Sequence, residues 1–168
     1  LIALTAFAAG VLLGGWLPGE RIARERMVGR VERVLIEEGP IAFDARIDTG
    51  ATVSSVHARD IEVIDGNPDH PPSNLGRMVR FTLVNAGGAS APVAAPIALV
   101  RGISSADCRE WRYHVYLSVA FRGHRHRVLV NLNDRSRKAE RLLLGRNWLR
   151  HGYVVDLARA KTDTESRP

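Results

Sequence analysis

Two short stretches hold the residues that could do chemistry. The first is Ala45-Arg46-Ile47-Asp48-Thr49-Gly50-Ala51-Thr52-Val53-Ser54. An apolar, strand-like run delivers a carboxylate, then a β-branched residue, then a glycine. Gly50 carries no Cβ, so the backbone there can turn tightly and approach the Asp48 carboxylate. A carboxylate presented on such a turn can take a proton when ionised and give one when protonated. Standing alone, Asp48 reads better as a strand-end turn aspartate capping its own backbone. The second stretch, Leu142-Leu143-Leu144-Gly145-Arg146-Asn147-Trp148-Leu149, tips the balance. Gly145 leaves room for a tight turn to pack against it. Arg146 fits either an ion pair with a buried carboxylate or a surface arginine at a helix start.

These stretches resemble the retropepsin family of aspartic proteases, in which Asp-Thr-Gly-Ala carries the catalytic acid and a hydrophobic run ending in Gly-Arg-Asn packs beneath it. A closer resemblance is to a bacterial retropepsin-like family that carries an ATP-dependent zinc protease label. The matching residues are Asp48 to Ala51, Ser54-Ser55-Val56-His57-Ala58, Asp134-Arg135-Ser136 and Leu144-Gly145-Arg146. The resemblance spans roughly Val31 to Asp156. It implies Asp48 as the catalytic acid/base and Thr49, Gly50 and Ala51 as the active-site turn. Leu144, Gly145 and Arg146 would support that turn, and the Thr49 hydroxyl would tie two such turns together. Asp134-Arg135-Ser136 reads as a turn capped by Asp134.

An aspartic protease needs two carboxylates sharing one proton. The chain has one Asp-Thr-Gly; Asp44, Asp60, Asp107, Asp134 and Asp156 lack the following Thr/Ser-Gly. The second carboxylate must then come from a second copy, which makes the expected enzyme a symmetric homodimer. The residue after Ala51 is Thr52, where viral retropepsins often carry Asp. No Gly-rich flap stands out, and the segment that would cover the site is Arg101 to Glu110.

Other chemistries lack their residues. No His-Glu-x-x-His and no paired cysteines are present, and His124 and His126 lie among Arg122, Arg125 and Arg127, whose charge would repel a cation. No metal ligand and no cofactor is expected. No Gly-x-x-x-x-Gly-Lys-Ser/Thr occurs, so ATP dependence has no support. Ser54, Ser55 and His57 sit too close along one extended segment to be taken as a triad, and no Gly-x-Ser-x-Gly elbow accompanies them. The Arg-rich run 122–127 has no aromatic platform, so no nucleic-acid partner is expected.

The elements that must position these residues read as short strands. Val31–Ile36, Ile41–Ile47, Val53–Val56, Ile61–Ile64, Met78–Val84, Trp111–Phe121, His124–Leu132, Leu142–Leu144 and Gly152–Leu157 have strand texture. Ala91–Val100 carries Pro92 and Pro96, which suits an edge strand or loop. Arg101–Arg109 reads as a small, polar, mobile segment. Arg146–His151 is the expected short helix. The fold class is all-β, a closed retropepsin-like barrel with one short C-terminal helix, preceded by an N-terminal hydrophobic anchor helix. Domain limits are 1–17 anchor or signal segment, 18–30 juxtamembrane linker, 31–160 retropepsin-like domain and 161–168 polar tail.

Leu1 to Leu17 is uncharged and apolar, near the lower limit of about 17–25 residues that cross a bilayer. A membrane anchor is expected there, with the domain on the periplasmic side of an inner membrane. The 168 residues carry a net charge of +6, nearly all of the cations being Arg, which favours anionic partners. The single Cys108 rules out an internal disulfide. The function expected is a homodimeric aspartic endopeptidase acting on peptides or proteins. Because the bacterial family is associated with glutamate ligases, an acidic or glutamate-rich substrate is conceivable. The alternative is a non-catalytic peptide- or envelope-binding module on the same fold.

Overall fold

The structure, a computed structural model, describes residues 25–104 and 109–159. The expected anchor 1–17, most of the linker and the tail 161–168 lie outside the described residues. Among the described residues, no helix is long and apolar enough to cross a membrane.

Period-two alternation makes the core. Ile41, Phe43, Ala45 and Ile47 point inward from one strand; Val115, Leu117, Val119 and Phe121 from another; and Val128, Val130 and Leu132 from a third. Trp148, Leu142 and Leu144 complete this interior. The strands in chain order are β1 Met27–Val28, β2 Val31–Ile36, β3 Ile41–Ile47, β4 Ser54–Val63 and β5 Met78–Val84. They continue as β6 Ser90–Ser104, β7 Arg109–Phe121, β8 His124–Asn133, β9 Leu142–Leu144 and β10 Val154–Val155. A 3-10 turn occupies Pro71–Asn74, and the short helix α1 spans Arg146–Leu149.

The chain is mostly strand, and the pairings return to their start. They run from β2 through β3, β9, β4, β8 and β7 and back to β2. β5 and β6 make a second path from β4 to β7. Within that closed path two pairings are parallel, β3–β9 and β4–β8, and both flank the segment that carries Asp48.

Several expected boundaries shift. The two strands expected at 53–56 and 61–64 are one strand, β4, with an irregularity between Arg59 and Glu62 and a positive φ of 54° at Asp60. Ala91–Val100 is part of the 15-residue β6 and not a loop, and as far as Pro96 it is paired on one side only, as the edge expectation required. Pro92 and Pro96 are tolerated because they fall where β6 pairs only with β5; pairing with β7 begins at Ile97, so no second ladder needs their missing N–H. Arg101–Ser104, expected to be mobile, belongs to β6 and pairs with β7 as far as Ser104 opposite Arg109. Residues 105–108 of the expected cover lie outside the described residues. The final strand shrinks to Val154–Val155, which pairs with Met27–Val28 from the stretch expected to be linker. Buried Glu32 holds this N-terminal segment: it accepts from the Gly29 N–H at 2.7 Å and pairs with Arg122 at 3.3 Å.

Candidate active site

Strand β3 ends at Ile47, whose side chain is in the core, so Asp48 emerges on the opposite side, half-buried. The Asp48 N–H donates to the Leu144 carbonyl at 3.0 Å, carrying the β3–β9 pairing one step into the turn. The chain then folds back on the carboxylate. Asp48 Oδ1 accepts from the Gly50 N–H at 2.9 Å and the Ala51 N–H at 3.2 Å. Bonds from N–H to an ionised oxygen are stronger than neutral ones and fix its direction. A Cβ on Gly50 would meet that same oxygen at 3.2 Å. Thr49 is exposed beside it.

The second stretch supports the turn from below. A Cβ on Gly145 would stand 2.7 Å from the Ala51 carbonyl oxygen. The Arg146 N–H donates to the Ala51 carbonyl at 2.8 Å and the Asn147 N–H to the Thr52 carbonyl at 3.2 Å. Among the described residues the Arg146 side chain finds no carboxylate, contrary to one of the two expectations for it. Its Nη1 donates to the Thr49 and Gly50 carbonyls at 3.0 and 3.1 Å, and its Nη2 to Thr52 Oγ1 at 2.7 Å. An exposed guanidinium therefore laces the rim of the turn. Leu144, buried behind it, receives the Asp48 N–H.

Asn147 was within view in the Gly-Arg-Asn run but carried no expected role. Its Oδ1 accepts from the Ser54 N–H at 3.0 Å and the Ser54 hydroxyl at 2.8 Å, and its Nδ2 donates to the Leu129 carbonyl at 2.7 Å. Ser54 Oγ in turn accepts the Gly145 N–H at 3.1 Å. Thus β4, β8 and α1 meet at one half-buried amide. Ser55 turns instead to Asn131 and His57 to the Arg135 N–H, so Ser54, Ser55 and His57 have three separate sets of partners.

Asp48 opens on a cavity of about 250 Å³ whose charged lining is Arg30, Arg46, Asp48 and Glu140. Glu140 was not anticipated, since nothing in its neighbourhood marks it. A second cavity of about 410 Å³ touches the same turn at Thr52 and Val53 and carries Arg127, Arg146 and Arg150. The Asp134-Arg135-Ser136 segment is a turn capped by Asp134, which accepts the Ser136 N–H at 2.8 Å. That bond and the Ser136 hydroxyl hold the Asp134 carboxyl below the usual carboxylate range.

His124 and His126 stack at 6.4 Å, and His126 stacks on His151 at 4.3 Å. Burial, with His151, His124 and Arg26 nearby, pushes the His126 imidazole below 6.5. Among the described residues, no group of three or more His, Cys, Asp or Glu could hold a metal ion.

No curated protein matches the chain. The protein Lpg0085 of Legionella pneumophila subsp. pneumophila str. Philadelphia 1, of unknown function, has a crystal structure similar to this one. Its TM-score is 0.64 at 25% identity, over 81% of this chain and 96% of that one. The sequence profile of the RimB-like family, described as retropepsin-like aspartic endopeptidase RimB, matches residues 27–166. With Asp48 on its glycine turn and Gly145-Arg146-Asn147 packed beneath, the chain belongs to the RimB-like family of retropepsin-like aspartic endopeptidases.

Proposed function

We propose that the protein is an aspartic endopeptidase that works as a symmetric homodimer with one Asp48 from each copy at its centre. The observation that carries this reading is the Asp48 carboxylate fixed by two backbone N–H groups on a turn that α1 braces from below. The pairings that close through β2, β3, β9, β4, β8 and β7 support a retropepsin-like barrel.

The chemistry follows from a shared proton. The ionised Asp48 of one copy takes a proton from a water held between the carboxylates. The water oxygen bonds to the peptide carbonyl carbon while the protonated Asp48 of the other copy gives its proton to the carbonyl oxygen. The tetrahedral intermediate then collapses. The carbonyl re-forms, the C–N bond breaks, and the amine leaves with a proton from the dyad. Thr49 would link the two turns across the axis. Arg30 and Arg46 beside Asp48 favour a substrate with acidic side chains near the scissile bond. The apolar segment 1–17 would tether the domain to an inner membrane on its periplasmic face.

Two measurements test the reading. Sedimentation of the chain over a nanomolar to micromolar series, run beside hydrolysis of glutamate-rich peptides, should show activity rising with the dimer. Asp48→Asn should dimerise and bind peptide but not cleave it. Peptide binding with no hydrolysis by the wild type would favour a binding module. Activity in a strict monomer would leave Asp48 to a partner in its own chain, Glu140, and Glu140→Gln would then be inactive.

A further inference from the structure

Three polar side chains with no part in that mechanism gather on the face of the sheet that carries Asp48. Ala45 and Ile47 of β3 point into the core, so Arg46 and Asp48 lie on the other face. Residues directly opposite one another on paired strands share a face. From Arg46 the register runs to Leu143 on β9, to Ser55 on β4, to Asn131 on β8 and to His114 on β7. One row across the sheet therefore sets Ser55, Asn131 and His114 side by side on the Asp48 face, while their chain neighbours Val56, Val130 and Val115 fill the core.

The row has hydrogen-bonding capacity to spare. Ser55 and His114 are only 6% and 3% exposed. The Ser55 hydroxyl donates to Asn131 Oδ1 at 2.8 Å, and Asn131 Nδ2 makes no hydrogen bond among the described residues. His114 Nδ1 is buried and likewise without a partner among them. An unpaired buried polar atom costs about 1–3 kcal/mol, and native proteins leave few of them. Burial pushes the His114 imidazole below 6.5, so the neutral ring offers one N–H and one lone pair.

The row also has an approach. Asn131 and Leu143 are half-buried rather than sealed. Two residues along the same three strands stand Val53, Leu129 and Tyr116, the last two opposite each other. These three line the cavity of about 410 Å³ that touches the Asp48 turn at Thr52. A cavity with an apolar floor thus lies between that turn and the polar row.

We propose that Ser55, Asn131 and His114 form a specificity subsite that accepts a substrate side chain ending in a carbonyl oxygen, as an amide or a carboxylate, and rejects an aliphatic one. This rests on the peptide-cleaving reading above. The substrate oxygen accepts from Asn131 Nδ2, held in place by Ser55, and the Nδ1–H tautomer of His114 donates to the same group. Buried polar groups that a ligand fails to pair discriminate against it far more strongly than an apolar pocket does. Arg46 stands at the other end of the row, beyond Leu143, so this subsite is separate from the arginine-lined cavity at Asp48.

The test measures binding apart from cleavage. Short peptides carrying Gln, Glu or Leu at each position in turn are titrated against the full chain with Asp48→Asn. At one position Gln or Glu should bind about tenfold or more tighter than Leu, the effect of one hydrogen bond left unmade in a buried site. A Gln preference identifies an amide as the source of the oxygen, a Glu preference a carboxylate. In Asn131→Leu and in His114→Leu that ratio should fall to about one or turn in favour of Leu, and Ser55→Ala should lower it in part. A residue that only held the fold would weaken all peptides alike. Asn131 is half-buried, so Asn131→Leu decides the outcome where His114→Leu does not fold. A Glu preference that survives Asn131→Leu belongs to Arg30 and Arg46 and, without a Gln preference, overturns the proposal. Equal binding of Gln, Glu and Leu at every position overturns it as well, and so does no binding at all. If the peptides bind as expected but the wild type cleaves none, the protease reading fails and the subsite stands.

Discussion

Gly145 lies so close beneath Ala51 that a Cβ on it would stand 2.7 Å from the Ala51 carbonyl oxygen and 3.1 Å from the Val53 carbonyl carbon. Both contacts are backbone, so no side chain can swing away to make room. Gly145→Ala must push the active-site turn off the start of α1. The expected cost is about 1–3 kcal/mol, read as a lower urea midpoint, with a larger loss of hydrolysis than the lost stability explains. Unchanged activity would mean that the turn tolerates displacement.

Arg146 makes its bonds at the rim of the same turn, exposed to solvent, so its removal should touch function more than folding. Arg146→Ala leaves the Thr49 and Gly50 carbonyls to water and frees Thr52. Stability should fall by about 1 kcal/mol. A misplaced reacting group can cost up to about 100-fold in rate, so kcat should drop by one to two orders of magnitude. Arg146→Lys keeps the charge but not the forked geometry and should recover only part. Equal rates in Arg146→Ala and wild type would count against its bracing role.

Asn147 satisfies the N–H and hydroxyl of fully buried Ser54 and ties α1 to Leu129. Asn147→Leu would leave those groups without partners, at about 1–3 kcal/mol for each unsatisfied group. The double variant Asn147→Leu with Ser54→Ala should recover part of that loss in a denaturation cycle. Strict additivity would show that the two residues do not interact.

Glu32 is buried at the root of the N-terminal segment and pairs with Arg122. Breaking a buried pair from one side leaves the other charge uncompensated, costing roughly 3–5 kcal/mol. Glu32→Gln keeps the shape and should lose somewhat less, with β1 and β10 losing hydrogen-exchange protection first. Protection lost evenly over all strands would contradict a local anchor.

Burial is the main reason His57, His114 and His126 titrate below 6.5 in the folded protein. Below that pH the unfolded chain takes up protons that the folded chain refuses. Their contribution to stability is therefore complete above about 6.5 and is lost as the pH falls through the lower folded values. The urea midpoint should be lower at pH 5 than at pH 7.5, and His57→Gln should flatten part of that slope. A midpoint independent of pH over this range would rule the effect out.

The local pattern carried much of this. Val31–Ile36, Ile41–Ile47, Met78–Val84 and Leu142–Leu144 are strands at the expected residues, because alternation within one segment reports which side chains are buried. It does not report their partners. Pro92 and Pro96 suit an edge strand and a loop alike, and only the one-sided pairing with β5 decides for the edge. Asp60, at positive φ, falls in the middle of β4, so the segment looked like two strands.

The site divides in the same way. The Asp48-Thr49-Gly50-Ala51 turn is local, its bonds spanning two or three residues, and its conformation is written in the adjacent residue types. Everything that aims and surrounds the carboxylate comes from elsewhere in the chain. Asn147 reaches Ser54 across 93 residues, Arg146 reaches Thr49 across 97, and the Arg135 N–H finds His57 across 78. A residue's type limits what it can bond to, but which distant group it meets depends on strand pairing. Parallel pairing of β3 with β9 and of β4 with β8 brings Gly145 beneath the Asp48 turn, Glu140 into its cavity, Asn147 to Ser54 and Arg135 to His57. The sequence alone therefore determined the candidate carboxylate and its turn, whereas the tertiary structure decided the walls, the braces and the charges around it.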